Sequence, residues 1–229
     1  MSQLESFQSI YQRACERKGG PKALQLRLGR PLPAEQLTAI GDARFLAEFT
    51  KKVFQSGFVW RVVRNKWPDF ERLFFAFEIE KILLIPDEMW EQKAADPSII
   101  RNYNKVKTIR ENAIMIDAVA REHGSFANFV SQWPSDDIIG LWAYLKKHGA
   151  RLGGNTGPYS LRTVGKDTFL LTNDVVGYFN KRHIISGSHQ SKRSLMAIQA
   201  SFNEWQQQSG RSLQELSLII ANSVGDNIQ

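Results

Sequence analysis

At 229 residues, 42% hydrophobic and 23% charged, the chain has the composition of a globular protein able to bury a sizeable core. No apolar run reaches the roughly 18 to 20 residues that cross a bilayer. The single cysteine, Cys15, rules out an internal disulfide, and four dispersed histidines offer no zinc-ligand spacing. The formal charge of +7 favours a polyanionic partner.

The N-terminal stretch MSQLESFQSIYQRA lacks the basic-then-apolar layout of an export signal, so a cytoplasmic protein is expected. Residues 18–36 read as irregular. Phe45, Phe49 and Val53 then recur at helical spacing up to Gly57, and Val59, Val62 and Val63 continue in a second helical piece. Pro68, Pro86, Pro97, Gly124, Pro134 and Gly149 punctuate the middle of the chain. A helix opens after Pro97, with Val106, Ile109, Ala113, Ile116 and Ala120 on its apolar face. Ile138, Leu141, Trp142 and Leu145 mark the next helix, with Ser135 as its expected N-cap. Residues 186–193 read as a mobile loop. Leu195, Ile198, Phe202 and Trp205, then Leu213, Leu216 and Ile220, give the last two helices. Period-two runs are scarce, so the expected class is all-α.

Three segments carry chemistry. LGGNTG lies between two predicted helices, and Gly153 and Gly154 leave its backbone uncovered. Amides there, with Asn155 and Thr156 at the start of the second helix, can meet phosphate oxygens with help from the helix dipole. FTKKVFQSGFVWRVVRNKW sets Phe54, Phe58 and Trp60 among basic residues, a pattern suited to stacking on unpaired bases, though packing in a core accounts for the same aromatics. Arg101 and Lys105 lie near a predicted helix N-terminus, where cations oppose the dipole; contact with a bound anion explains them, and so does simple solvation of basic residues.

FQSGFVW, IIRNYNKV and the block from LKKHGARLGG to TNDVVGYF, in that order and spacing, resemble the type I DNA-3-methyladenine glycosylases of the helix-hairpin-helix superfamily. The resemblance covers about residues 40–185 and leaves 186–229 as a helical extension on what is read as one glycosylase-like domain in two lobes. It implies a two-lobed, all-helical fold that extrudes a damaged base from duplex DNA and hydrolyses its N-glycosidic bond. By the resemblance, Trp60 stacks on the extruded base, Phe58 fills the gap left in the duplex, and Gly153, Gly154 and Thr156 hold phosphate. Two departures stand out. Lys52 occupies the position, eight residues before Trp60, where the family carries a base-contacting glutamate, and the family's structural zinc has no ligands to bind it here.

The resemblance to the wider superfamily, whose catalytic aspartate follows the second helix of the motif, implies that Asp174 is the carboxylate that stabilises positive charge developing on the sugar, with Asn173 an alternative occupant of that position. Thr172, Asn173 and Asp174 are equally readable as a helix N-cap. Bifunctional relatives carry a lysine just after the hairpin. Gly157, Pro158 and Tyr159 stand there in this chain, so a monofunctional enzyme is expected, with Lys52 the one alternative nucleophile. The expected partner is duplex DNA with an alkylated base. No cofactor, metal or membrane is expected, and the protein is read as a monomer. A non-catalytic DNA-binding or lesion-recognition protein is the alternative, and a helical interaction module a third.

Overall fold

The computed structural model describes residues 4–224. In chain order its helices are α1 (Phe7–Arg17), α2 (Pro21–Gln25), α3 (Ala34–Thr38), α4 (Asp42–Gln55), α5 (Trp60–Leu73), α6 (Ile79–Leu83), α7 (Asp87–Ala95), α8 (Tyr103–His123), α9 (Phe126–Gln132), α10 (Ile138–His148), α11 (Thr156–Val164), α12 (Asn173–Lys181), α13 (Lys192–Ser209) and α14 (Leu213–Ser223). The described residues contain no strand, as the periodicity predicts.

The chain forms two compact units. One comprises Pro33–Trp133 and Leu141–Lys166. Its central element is α4, which packs against α8 and α11. Phe45, Phe49 and Val53 bury the predicted face, and both phenylalanine rings meet Phe126 edge-on at 5.3 and 5.8 Å. Asp42, in the first turn of α4, accepts hydrogen bonds from the amides of Phe126 and Ala127, supplying free N–H groups of α9 with a carboxylate.

The other unit holds the described residues of Met1–Leu32, Pro134–Gly140 and Asp167–Gln229. Its core is aromatic: Phe169 lies flat on Phe202 at 4.2 Å, and Phe179 and Tyr178 meet Trp205 at 5.8 and 5.9 Å. Glu5 ties the start of α1 to α12, accepting from Arg13, from Arg182 at 2.9 Å and from the Tyr178 hydroxyl at 2.8 Å. Ser212 and Glu215 form a reciprocal capping box at α14.

Several boundaries differ from expectation. Pro68 lies inside α5 on its exposed side, so the helix runs through it with one hydrogen bond fewer. Of the apolar face expected there, only Val63 is buried, while Val59 and Val62 are exposed. No helix opens after Pro97: Asp96 binds the Ser98 amide and hydroxyl in a local turn, and α8 begins only at Tyr103 with Asn102 as N-cap. Ser135 is not an N-cap either, because it sits within a 3-10 turn that precedes α10.

Candidate nucleic-acid interface

The α4–α5 corner sorts its aromatics by position. Phe54 still belongs to α4. It is fully buried and meets Phe70 edge-on at 4.7 Å. The expectation that it binds a base is therefore corrected: its ring is committed to the core. Past the break at Gly57, Phe58 is 44% and Trp60 49% exposed, and with Val59 and Val62 they leave an apolar surface on the corner. Arg61 and Arg64 are exposed on the same helix. A core role does not account for Phe58 and Trp60.

Trp60 has polar and aromatic company. Tyr159 of α11 stands edge-on to it at 6.5 Å, and the Lys52 ammonium lies 5.7 Å from its ring centre. Lys52 is ion-paired at 3.1 Å with Glu48, one helical turn earlier. Both side chains are largely buried, at 14% and 13% exposure. The paired oxygen, Glu48 Oε1, is shut off from solvent and meets the Lys52 ammonium as an ion pair without hydrogen-bond geometry. Lys52 is thus held by a carboxylate, which corrects its reading as a free amine nucleophile.

The hairpin runs from α10 into α11. Asn112, fully buried on α8, clamps its entry by accepting from the Ala150 amide at 2.8 Å and donating to the Ala150 carbonyl at 3.2 Å. The Gly157 amide closes the turn on the Leu152 carbonyl. Any Cβ at Gly157 would sit 2.6 Å from that same oxygen, so the position requires glycine. Gly154 has φ +59°, and a Cβ there would meet nothing within 4 Å. The backbone at Gly154 therefore faces open space, followed by the N-terminus of α11, whose N-cap Asn155 makes no side-chain capping bond. This is the geometry of an anion cradle. Lys146 runs along Gly153, and Lys147 and Arg151 are exposed beside it.

Lys105 is corrected. Its ammonium donates to the Ser56 carbonyl at 2.8 Å and the Phe54 carbonyl at 3.2 Å, stopping the C-terminus of α4. Burial, and then the charge of Arg151, hold its pKa below the usual lysine range. A cation that opposes the dipole of its own helix here satisfies the dipole of another. Arg101 remains exposed on the turn before α8.

Asp174 belongs to the other compact unit. Thr172, not Asp174, is the N-cap of α12, its hydroxyl accepting from the Val175 amide. Asp174 is a half-buried carboxylate in the first turn, where the helix dipole favours negative charge. Asn173 beside it is exposed. Among the described residues no cluster of His, Cys, Asp and Glu is placed to hold a metal ion.

Glu48, Tyr159, Arg151 and Lys146 are site residues that the sequence alone does not single out. The Glu48–Lys52 spacing is visible there as an i,i+4 pair, and the basic run before the hairpin as charge. Nothing in the sequence places Tyr159 beside Trp60.

The family profile described as methyladenine glycosylase matches residues 38–160, which take in the α4–α5 corner and the hairpin. None of the curated proteins matches the chain. Among solved structures, an 8-oxoguanine glycosylase/lyase from Methanocaldococcus jannaschii in complex with DNA containing 8-oxoguanine is similar over 93% of this chain and 95% of that one, with 15% identity and a TM-score of 0.52. A 3-methyladenine DNA glycosylase I variant in complex with 3-methyladenine is similar over 67% of this chain and 90% of that one, with 18% identity and a TM-score of 0.50. These likenesses establish the helical glycosylase fold, and because the family profile covers more than half of the sequence, the chain belongs to the methyladenine glycosylase family.

Proposed function

We propose that the protein is a monofunctional DNA glycosylase that releases alkylated purines, such as 3-methyladenine, from duplex DNA. The observation that carries this reading is Trp60: a half-exposed ring walled by Tyr159 and a buried ion pair, on a corner that also presents Phe58. In the proposed reaction the hairpin amides and the basic residues around them hold the backbone, without reading sequence. Phe58 enters the base stack as the damaged base leaves it, and Trp60 stacks on the extruded base.

The N-glycosidic bond then breaks with its electron pair leaving on the base. An N3-alkylated adenine carries a positive charge in DNA, so it departs neutral and needs little protonation. Asp174 is the proposed carboxylate that stabilises the oxocarbenium-like sugar, and a water molecule then adds to the sugar and loses a proton. Strand cleavage by Schiff-base chemistry needs a free amine. Gly157, Pro158 and Tyr159 follow the hairpin, and the Lys52 amine is ion-paired, which supports a monofunctional enzyme.

The test is chromatographic release of free base from methylated duplex DNA, with borohydride trapping run alongside. Release without a trapped covalent adduct is expected. Absence of any released base, with duplex binding intact, would leave a DNA-binding protein instead.

A further inference from the structure

Glu48, Lys52 and Gln55 fall at i, i+4 and i+7 on α4, so they share one face of that helix. Gln55 has a side-chain oxygen hidden from solvent and without a hydrogen-bond partner, and Glu48 Oε1, equally hidden, faces only the Lys52 ammonium at 3.1 Å. A buried acceptor like that of Gln55 is rare because it loses its water without compensation. Between them in sequence, Lys52 brings an ammonium to 5.7 Å from the Trp60 ring centre. A base stacked on Trp60 therefore meets an ammonium that has a carboxylate oxygen 3.1 Å from it, so the two charges cancel.

Like charges repel strongly in such a shielded place. A carboxylate alone would favour a cationic base, and an ammonium alone would exclude it. A balanced pair does neither. It is also complementary to a ring edge where C=O adjoins N–H: the ammonium donates to the carbonyl, and the paired carboxylate accepts from the N–H.

We propose that the Glu48–Lys52 pair widens the substrate range of the base site from cationic alkylpurines to neutral purines presenting a carbonyl beside an N–H, such as hypoxanthine or 8-oxoguanine. The proposal rests on the reading of Trp60 as the platform for an extruded base. Lys52 then serves as the specificity element and Glu48 as its counter-charge and the N–H acceptor.

Two free-base probes test it by calorimetry: hypoxanthine, a neutral lactam, and 3,9-dimethyladeninium, a permanent cation. The wild type is expected to bind both. Lys52→Met is expected to weaken hypoxanthine about tenfold and tighten the cation about tenfold, as one uncompensated charge at this range dictates. Lys52→Arg should restore hypoxanthine binding, which separates loss of the donor from loss of the fold. Glu48→Gln should weaken the cation at least about tenfold, by the same electrostatics. Movement of both probes in one direction in Lys52→Met, no movement, or no binding of either probe to wild type overturns the proposal. Base release from hypoxanthine-containing and methylated duplexes is measured in parallel. Probe binding with the expected charge dependence but no release from either duplex would defeat the glycosylase reading and leave the charge-balanced site standing.

Discussion

Replacing Phe54 and Trp60 by alanine, one at a time, should give opposite phenotypes although only five residues lie between them. Phe54 is fully buried and meets Phe70 edge-on at 4.7 Å. Its truncation opens a core cavity and should cost roughly 3–5 kcal/mol. At about 2–4 °C per kcal/mol for a chain of this size, the melting midpoint should fall by roughly 6–20 °C. Trp60 leaves 49% of its surface in solvent, so much less burial is lost on truncation. Its loss should instead appear at the extruded base, where stacking is worth about 1–3 kcal/mol, a factor of roughly 5 to 150 in single-turnover excision. Calorimetric melting and single-turnover base release, measured on both variants at equal duplex occupancy, separate the two effects. If Trp60→Ala melts as low as Phe54→Ala while its folded fraction excises at the wild-type rate, the tryptophan is structural and its role as a stacking platform is refuted.

Gly154→Asn and Gly154→Val should both weaken binding to any duplex, because each places a side chain over the open backbone. Asparagine tolerates φ +59° and should retain more stability than valine. Undiminished affinity of the folded asparagine variant, measured by fluorescence anisotropy across a salt series, would remove the hairpin from the interface. Asp174→Asn should bind DNA normally and lose most excision. Because Thr172 is the cap, no capping bond is lost and unfolding should shift little, so wild-type turnover by a stable variant would count against a catalytic role. For Glu5, burial alone would raise the carboxyl pKa, but hydrogen bonds from Arg13 and Tyr178 and the charges of Arg13 and Arg182 outweigh it and hold it below the ordinary value. A depressed folded pKa contributes stability above the unfolded value of about 4.3 and loses it as pH falls through the folded pKa. Glu5→Gln should therefore melt lower than wild type at neutral pH and converge with it in acid. A constant gap from pH 7 to pH 3 would contradict this linkage.

The helical class and the family segments are legible in the sequence because both rest on local pattern: apolar residues every three or four positions, and short motifs in a fixed order. Burial at the corner is half legible. Phe54 comes before Gly57 and belongs to a helix whose apolar face points to the core, whereas Phe58 and Trp60 come after the break, where periodicity gives no direction. Lys105 misleads because its partners are carbonyls at the end of a different helix. The dipole that explains its position is that of α4, not of the helix that carries it. Glu48 has the look of an ordinary solvated acid. It lies on a helix packed against α11, far along the chain, and packing across that distance leaves no trace in one sequence.

Asn112 and Lys105 stand two turns apart on α8, one clamping the hairpin entry at Ala150 and the other holding the α4 carbonyls just before Gly57. A helix rises about 1.5 Å per residue, so these two anchorages are set roughly 10 Å apart along a single stiff rod. That separation is about three steps of a DNA strand at about 3.4 Å each. On the proposed reading, the helix acts as a ruler between the backbone grip and the aromatic corner, and its graduations are insensitive to the bases that lie between. The proposed reaction would then meet a lesion at a fixed offset from a held phosphate, whichever sequence surrounds it. Lengthening α8 by one residue between the two anchors would misplace both at once without touching any group proposed to meet DNA.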